Sequence, residues 1–175
     1  MTENFKINLY TPFDKLTSIQ SDKVVQFLYE HLQEYGDERP HIKMAIDYAM
    51  KEVSSPGGFV LVGAVEQDIL GVVVVNKTGM SGYIPENILV YIAVHEDTRG
   101  KGVGKKLMKA AIKNSTGDIA LHVEANNPAL RLYEKLGFEN KYLEMRLHKS
   151  DQATQSKGKG KKEPIQATLP TDQNN

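Results

Sequence analysis

The sequence predicts an α/β protein in which one mixed β-sheet is flanked by helices. Along the 175-residue chain, segments with strand-like alternation are interspersed with segments whose apolar residues recur at helical spacing. A tight turn near Glu66 predicts an antiparallel hairpin, and an apolar strand that leads through a glycine-rich turn into a helix indicates a buried central strand. A chain of this length predicts one domain that buries roughly two-thirds of its unfolded surface.

The first half of the chain predicts one strand, two helices and a hairpin. The first strand alternates apolar and polar residues and is closed by Pro12. The first helix follows a Ser21-Asp22 cap, and the second begins at Pro40, because proline is favoured in the first helical turn. Residues 66–68 form the short turn of the hairpin. These elements span residues 5–9, 21–34, 40–50, 58–65 and 69–75.

The second half predicts a buried strand, a glycine turn and a further alternation of helix and strand. Every residue from Ile88 to Val94 is apolar or aromatic, which is typical of a buried strand. The glycine-rich turn at 99–104 leads into a helix that ends near Asn114. A strand, a helix and a last alternating strand, marked by Leu143, Met145 and Leu147, are then predicted at 119–123, 128–136 and 143–147.

The composition changes beyond Lys149. Residues 150–175 are rich in Gln, Lys, Gly and Asn and hold few large apolar side chains. Such a segment cannot bury enough surface to offset its chain entropy, so we expect a domain at 1–149 and a flexible tail at 150–175. The lysine- and glycine-rich run at 157–162 leaves a nucleic-acid contact open as an alternative to a solubilising tail.

Charge and cysteine content narrow the function classes. Lys plus Arg and Asp plus Glu both number 22, so the net charge gives no support to a nucleic-acid or membrane partner. The absence of cysteine excludes a disulfide framework, a thiolate metal site and an acyl-cysteine intermediate. The five dispersed histidines predict no metal. No apolar run approaches the ~20 residues that span a bilayer and no signal-like core follows Met1, so we expect a cytoplasmic location.

The glycine-rich turn has the composition of an anion site. Gly100, Gly102 and Gly104 let the backbone approach a ligand closely, and the first unpaired N–H groups of the next helix point at it. Positive charge from the flanking basic residues favours a phosphate or pyrophosphate. These basic residues are Arg99, Lys101, Lys105 and Lys106.

Two better-known phosphate motifs do not fit this turn. A P-loop would require glycine at Arg99 and a hydroxyl residue at Lys106. The dinucleotide fingerprint would require glycine at Lys105 or at Leu107, depending on its start. The pattern that remains is Arg-x-x-Gly-x-Gly at 99–104.

This pattern resembles the pyrophosphate motif of the GNAT superfamily of N-acetyltransferases. A second block at 126–138 resembles the family's other signature, with Asn126, Ala129, the pair Leu132-Tyr133 and the pair Gly137-Phe138. Two blocks in this order and spacing are a specific signal, and the resemblance covers most of residues 5–148. It implies a GNAT-like acyl-CoA N-acyltransferase fold, with a central, mostly antiparallel sheet that is splayed in the middle and flanked by helices.

The resemblance also implies acetyl-coenzyme A (acetyl-CoA) as cofactor. Backbone N–H groups of the turn would hold the pyrophosphate, and the strand main chain at 92–94 would pair with the pantetheine arm. Asn126 would contact the cofactor, although it also suits a helix start before Pro128. Tyr133 would protonate the departing thiolate, the plain alternative being a core tyrosine. The implied set is Ile92, Ala93, Val94, Arg99, Gly100, Lys101, Gly102, Val103, Gly104, Lys105, Asn126, Ala129 and Tyr133.

The base and the acceptor site are predicted from position. The attacking amine must be neutral, and Glu86 lies at the entrance of the central strand, in phase with Ile92 and Val94. In the family a glutamate of this strand lies nearer to Ile88, and Glu124 is a second candidate. Acidic and loop residues would line the acceptor groove and favour a cationic amine. They are Asp37, Glu38, Met80 and Tyr83.

These features predict an N-acetyltransferase that moves an acetyl group from acetyl-CoA directly to a primary amine in a ternary complex. The amine belongs to a small molecule, a peptide or a protein. A non-catalytic acyl-CoA sensor on the same fold is the alternative, and a nucleic-acid binder that uses the tail is a third hypothesis. We expect neither nucleic acid nor membrane as partner and leave a homodimer open.

Overall fold

A computed structural model describes residues 4–149 and confirms the predicted α/β class. Five strands form one sheet in the order β1-β2-β3-β4-β5. The predicted tail at 150–175 lies outside the described residues. The elements are β1 Phe5–Tyr10, α1 Ser18–His31, α2 Arg39–Met50, β2 Gly58–Val65, β3 Asp68–Lys77, β4 Asn87–Val94, α3 Val103–Asn114, β5 Ile119–Leu121 and α4 Leu130–Lys135, with 3₁₀ turns at Gln33–Tyr35 and Glu96–Thr98.

The sheet opens between its last two strands. Strands β1 to β4 are antiparallel neighbours, whereas β5 runs parallel to β4. The β4–β5 ladder begins at the pair Asn87–Ile119 and ends at the pair Leu89–Leu121. Because β4 continues to Val94, its second half has no β5 partner within the described residues. This is the splay that the family resemblance implied.

A β-bulge in β4 lies beside this opening. Val74 pairs with Tyr91 and Val75 pairs with Leu89, so Val90 has no partner on β3. The extra residue places Val90 and Tyr91 in the same apolar cluster, whereas Ile92 belongs to the cluster on the other face. The sequence predicted that Glu86, at the entrance of the strand, shares a face with Ile92 and Val94. This prediction is wrong, because the bulge shifts the alternation of faces halfway along β4.

The core consists of two clusters, one on each face of the sheet. Helices α1 and α2 pack on one face through residues such as Leu28 and Ile46. Helices α3 and α4 pack on the other through Leu107, Met108 and Tyr133. None of the helices within residues 4–149 is both long enough and apolar enough to cross a membrane.

Several element boundaries differ from the sequence prediction. Helix α1 begins at Ser18 because Thr17 and Gln20 form a capping box, so the predicted cap at Ser21 is an interior position. The compact unit Met1–Phe138 holds all the regular elements found within residues 4–149, and a second unit begins at Glu139. No strand forms at 143–147, where the side chains are exposed, because alternation gives a strand only where a ladder pairs the backbone.

Candidate active site

The glycine turn leads directly into the N-terminus of α3. Gly102 is its N-cap residue at φ 85°, Gly100 has φ 75°, and no side chain caps the helix. By helical geometry the N–H groups of Val103, Gly104 and Lys105 have no acceptor within α3. A Cβ added at Gly100 or Gly102 would meet no atom within 4 Å, so the turn is open at both positions. The exposed basic side chains around the turn are Arg99, Lys101, Lys105 and Lys106.

Arg99 connects this turn to the end of α1. Its Nη2 donates to the carbonyl oxygen of His31 at 3.0 Å, and its Nη1 donates to Oε1 of Gln33 at 3.3 Å. Its Nε lies 3.4 Å from the carbonyl oxygen of Val94. The guanidinium therefore holds the turn, the end of β4 and the end of α1 together.

The second half of β4 offers a free backbone edge next to the turn. Residues 91–94 pair with β3 on one side. Their other side has no ladder partner in the described part of the chain, because the β5 pairing ends at Leu89. Alternate residues of this stretch therefore direct their main-chain groups away from β3, toward the opening that the splay creates.

Tyr133 lies on α4 at the core face of this region. Its side chain is 6% exposed, and its ring lies 5.9 Å from that of Phe138. Burial raises the pKa of Tyr133 to about 12. The hydroxyl is therefore protonated at neutral pH. The start of the α4 region is fixed by Asn127, whose Oδ1 accepts a hydrogen bond from the Ala129 N–H at 2.9 Å.

Asn126 is exposed in the turn that follows β5. Its carbonyl oxygen accepts a hydrogen bond from the Tyr35 hydroxyl at 3.5 Å, so the 3₁₀ turn after α1 reaches across to the loop before α4. The helix-start role belongs to Asn127 rather than to Asn126. A helix-start role therefore does not account for Asn126, and its exposed side chain can contact a ligand.

Glu86 precedes β4 at the end opposite the glycine turn. Its Oε2 accepts a hydrogen bond from the Asp118 N–H at 2.7 Å, and its Oε1 accepts one from the Gly82 N–H at 3.3 Å. These backbone donors, chiefly Asp118, hold the pKa of Glu86 below its ordinary value. The eight residues of β4 span about 26 Å between Glu86 and the turn that follows Val94.

Asp37 is held by Tyr91, the second residue of the bulge pair. The Tyr91 hydroxyl donates to Oδ2 of Asp37 at 2.6 Å, the length of a charge-assisted hydrogen bond. Burial, followed by this hydrogen bond, raises the pKa of Tyr91 well above its ordinary value. The contact brings the segment before α2 to the middle of β4. Glu38 follows as the N-cap of α2, and Met80 and Tyr83 lie in the loop before β4.

Sequence patterns missed the contacts of Arg99 with α1, of Tyr35 with Asn126 and of Tyr91 with Asp37. Each joins residues more than fifty positions apart. One signal was available, because Tyr91 is the only polar-tipped side chain between Ile88 and Val94. Within residues 4–149, no three His, Asp or Glu side chains gather closely enough to hold a metal ion.

The family comparison matches the part of the chain that carries the glycine turn and Tyr133. Residues 56–140 match the family model described as an acetyltransferase (GNAT) domain. That range includes β4, the glycine turn, α3 and α4. No curated protein sequence matches the chain.

Solved structures share the fold at low identity. A GNAT-family acetyltransferase from Streptococcus pneumoniae TIGR4 is 15% identical with a TM-score of 0.61, over 84% of this chain and 99% of that one. A ribosomal-protein-alanine N-acetyltransferase from Brucella melitensis biovar Abortus 2308 is 18% identical with a TM-score of 0.56, over 82% and 98%. An aminoglycoside acetyltransferase from an uncultured soil metagenomic sample, solved with sisomicin, is 16% identical with a TM-score of 0.55, over 83% and 96%. The match at residues 56–140 and the acetyltransferases among the solved structures with this fold, one of them a GNAT-family protein, agree with the resemblance to GNAT acetyltransferases.

Proposed function

We propose that this protein is an N-acetyltransferase that moves an acetyl group from acetyl-CoA directly to the neutral form of a primary amine, on an acceptor that carries positive charge. One observation carries the proposal: the next helix after the free backbone edge of β4 is α3, whose uncapped N-terminus follows the glycine turn. An anionic pyrophosphate suits the helix N-terminus, and an arm that carries amide groups suits the free edge of the strand. Acetyl-CoA supplies, when bound, an acetyl thioester that an amine can attack.

The cofactor roles follow from backbone geometry. The N–H groups from Gly100 through Lys105 would hold the pyrophosphate, with Lys101 adding charge. The edge of β4 at 92–94 would pair with the pantetheine arm. Asn126 and Ala129 would border the arm on the side of α4. Arg99 would act mainly by positioning the turn, because its guanidinium is bonded to the end of α1.

Tyr133 is proposed as the acid. Its raised pKa keeps the hydroxyl protonated, so the tyrosine can give its proton to the departing thiolate. In the balanced transfer, the amine nitrogen bonds to the acetyl carbon, the carbon–sulfur bond breaks, and the sulfur takes that proton. The attacking nitrogen loses one proton to the solvent, and the solvent later returns one proton to the tyrosine.

For Glu86 we propose a structural role, in which it stabilises the fold, rather than the role of the base. Its two oxygens are bonded to backbone N–H groups, and its lowered pKa makes it a weaker proton acceptor. An α-amine, with a pKa near ~8, is partly neutral without a dedicated base. Glu124, which is exposed, is the remaining carboxylate that we propose as a candidate base.

The Glu86→Gln variant should separate these two roles. Its melting temperature (Tm) should fall at pH 7, because an amide accepts the Asp118 and Gly82 hydrogen bonds less well than a carboxylate does, while kcat stays within about twofold. Since the folded pKa is depressed, the carboxylate stabilises the fold above about pH 4, and this advantage is lost as pH falls through the folded pKa. The Tm difference from wild type should therefore close in acid. A kcat loss of about 100-fold at pH 7 would instead establish Glu86 as the base.

The acceptor is proposed to meet Asp37. Tyr91 fixes one oxygen of this carboxylate beside the β4 bulge and leaves Oδ1 to pair with a cation. The ribosomal-protein-alanine enzyme and the sisomicin-bound enzyme support an amine acceptor, since their names point to an alanine and to an aminoglycoside. Glu38, Met80 and Tyr83 would complete the groove around the amine.

We expect Tyr91→Phe and Asp37→Asn to raise KM for a cationic acceptor by about tenfold, with little change in kcat. Asp37→Asn removes the charge that pairs with the acceptor, and Tyr91→Phe removes the hydrogen bond that fixes this carboxylate. Either change should weaken the binding of the acceptor and of the transition state equally. The Tm shift caused by acetyl-CoA should stay the same. Tyr48→Phe is the matched control, because it removes a hydroxyl that donates to the Lys77 carbonyl at 2.8 Å, away from Asp37. A KM increase in the control as large as that in Tyr91→Phe would contradict the proposal.

Turnover distinguishes the enzyme from the non-catalytic acyl-CoA sensor. The protein should release free thiol from acetyl-CoA in the presence of a panel of polyamines, aminoglycosides and short peptides, and mass spectrometry should find the acetylated amine. Cofactor binding without thiol release on any of these amines would favour the sensor. Absence of cofactor binding would remove both interpretations.

A further inference from the structure

A cavity lies at the end of α3 opposite the glycine turn. It has a volume of about 440 Å³ and opens where β1 ends, β2 begins and β3 ends. Its size falls within the range of small-molecule sites. The lining residues on which the argument depends are Leu9, Phe13, Lys15, Lys51, Phe59 and Lys77.

Helix α3 separates this cavity from the glycine turn. Asn114, the last residue of α3, lines the cavity, whereas Val103 at the first position borders the turn. Twelve residues of α-helix place these two ends about 18 Å apart. A ligand in the cavity would therefore not occupy the proposed cofactor site.

The charged groups of the cavity are all cations. Lys15 comes from the turn after β1, Lys51 from the end of α2 and Lys77 from the end of β3. Glu52 pairs with Lys15 at 2.9 Å, and within residues 4–149 neither Lys51 nor Lys77 forms an ion pair. A concave site lined by one sign of charge concentrates the opposite charge.

Lys51 occupies a backbone position that favours glycine. It follows α2 at φ 55°, the left-handed conformation in which helices commonly end with glycine. Its side chain packs against Gly57, so that carbons of its stem would lie 3.0–3.2 Å from a Cβ placed there. The chain thus carries a lysine, at a conformational cost, where its ammonium group can line the cavity.

The rest of the lining is apolar. Phe59 is buried, and Leu9 is 39% exposed at the wall. Phe13 is 100% exposed although it sits in an ordered turn, in which its N–H donates to Oγ1 of Thr11 at 3.2 Å. A ligand with an apolar body would cover this ring at the rim of the cavity.

We propose that this cavity binds a small organic anion with a carboxylate or phosphate head and an apolar body. The lysines take the head, and the phenyl and leucyl side chains take the body. The site is independent of the acetyl-transfer proposal, and no residue of that site lines it.

Amide chemical shifts of the ¹⁵N-labelled full chain would test this site. Hexanoate and phenyl phosphate are the two anionic probes, which distinguish a carboxylate from a phosphate head. Hexanamide and benzyl alcohol are the uncharged counterparts. We expect saturable shifts at Gly58, Phe59 and Asn114 with at least one anion, weaker binding at higher salt, and the same shifts when coenzyme A is present. Equal shifts with the uncharged probes, shifts that coenzyme A abolishes, or no saturable shift would each overturn the proposal.

The Lys51→Gly variant separates binding from folding. Glycine suits φ 55°, so Tm should equal or exceed that of wild type, while affinity for the effective anion should fall by about threefold to tenfold. Glu66→Gly makes the same backbone change at φ 55° in the β2–β3 turn, and Lys109→Gln removes a lysine exposed on α3. Both controls should keep wild-type affinity. Undiminished affinity in Lys51→Gly, or an equal loss in Lys109→Gln, would overturn the assignment.

Discussion

Replacing Tyr133 with phenylalanine is expected to lower kcat by about 100-fold, the usual contribution of one positioned acid. The ring remains in the α3–α4 cluster, so Tm and the affinity for acetyl-CoA should change little. With a pKa of about 12, the hydroxyl stays protonated through the whole range in which the protein is assayed. Loss of this acid should therefore not appear as a new limb in the pH profile of kcat below about pH 10.

The donor can show whether the lost step is protonation of the thiolate. The thiolate of a more acidic thiol leaves more easily without protonation. With an acetyl thioester of such a thiol, the difference in kcat between wild type and Tyr133→Phe should therefore be smaller. Tyr48→Phe, which removes a hydroxyl at the far end of α2, should keep wild-type kcat. Equal kcat in wild type and Tyr133→Phe, or a loss that follows a lower Tm, would leave Tyr133 as a core residue.

Local patterns predicted the elements of the fold well, and they failed where a distant partner decides the structure. Strand β2 begins and ends at the predicted residues, and α3 ends at Asn114 as expected, because periodicity and a glycine turn set those limits. The bulge at Val90 has no sequence signal, because every side chain around it is apolar or aromatic and its position depends on register with β3. Alternation at 143–147 likewise could not reveal that no strand forms there.

The candidate site divides in the same way. The backbone parts, which are the uncapped helix start and the glycines at positive φ, are local and were predicted from the turn. The side-chain parts depend on long-range contacts: Asp37 meets Tyr91 from 54 residues away, and Arg99 meets His31 from 68. The sequence around a loop carboxylate does not indicate its hydrogen-bond partner, so Asp37 and Glu38 could not be distinguished from the sequence alone. Only the structure distinguishes them.

Gly102→Glu is expected to abolish the stabilisation of the protein by acetyl-CoA. At about one hundred times its dissociation constant, the cofactor should add ~2.7 kcal/mol to the wild type, which is a Tm increase of roughly 5 to 10 °C. The new carboxylate would be attached at the N-cap of α3, where it would repel a pyrophosphate and compete for its hydrogen bonds. We expect an affinity loss of more than about 100-fold, since both effects act at the same point.

Matched variants assign this loss to charge at the helix start rather than to backbone strain. Gly102→Gln has the same φ of 85° and nearly the same shape, so it carries the strain without the charge and should retain part of the shift. Gly137→Glu places a carboxylate at φ 93° with no atom within 4 Å of its Cβ, after α4, and should retain the full shift. If Gly102→Glu kept the wild-type shift, the cofactor would bind elsewhere and the proposed site would be wrong. If Gly137→Glu lost the Tm shift to the same extent, the loss would be a general effect of an added negative charge.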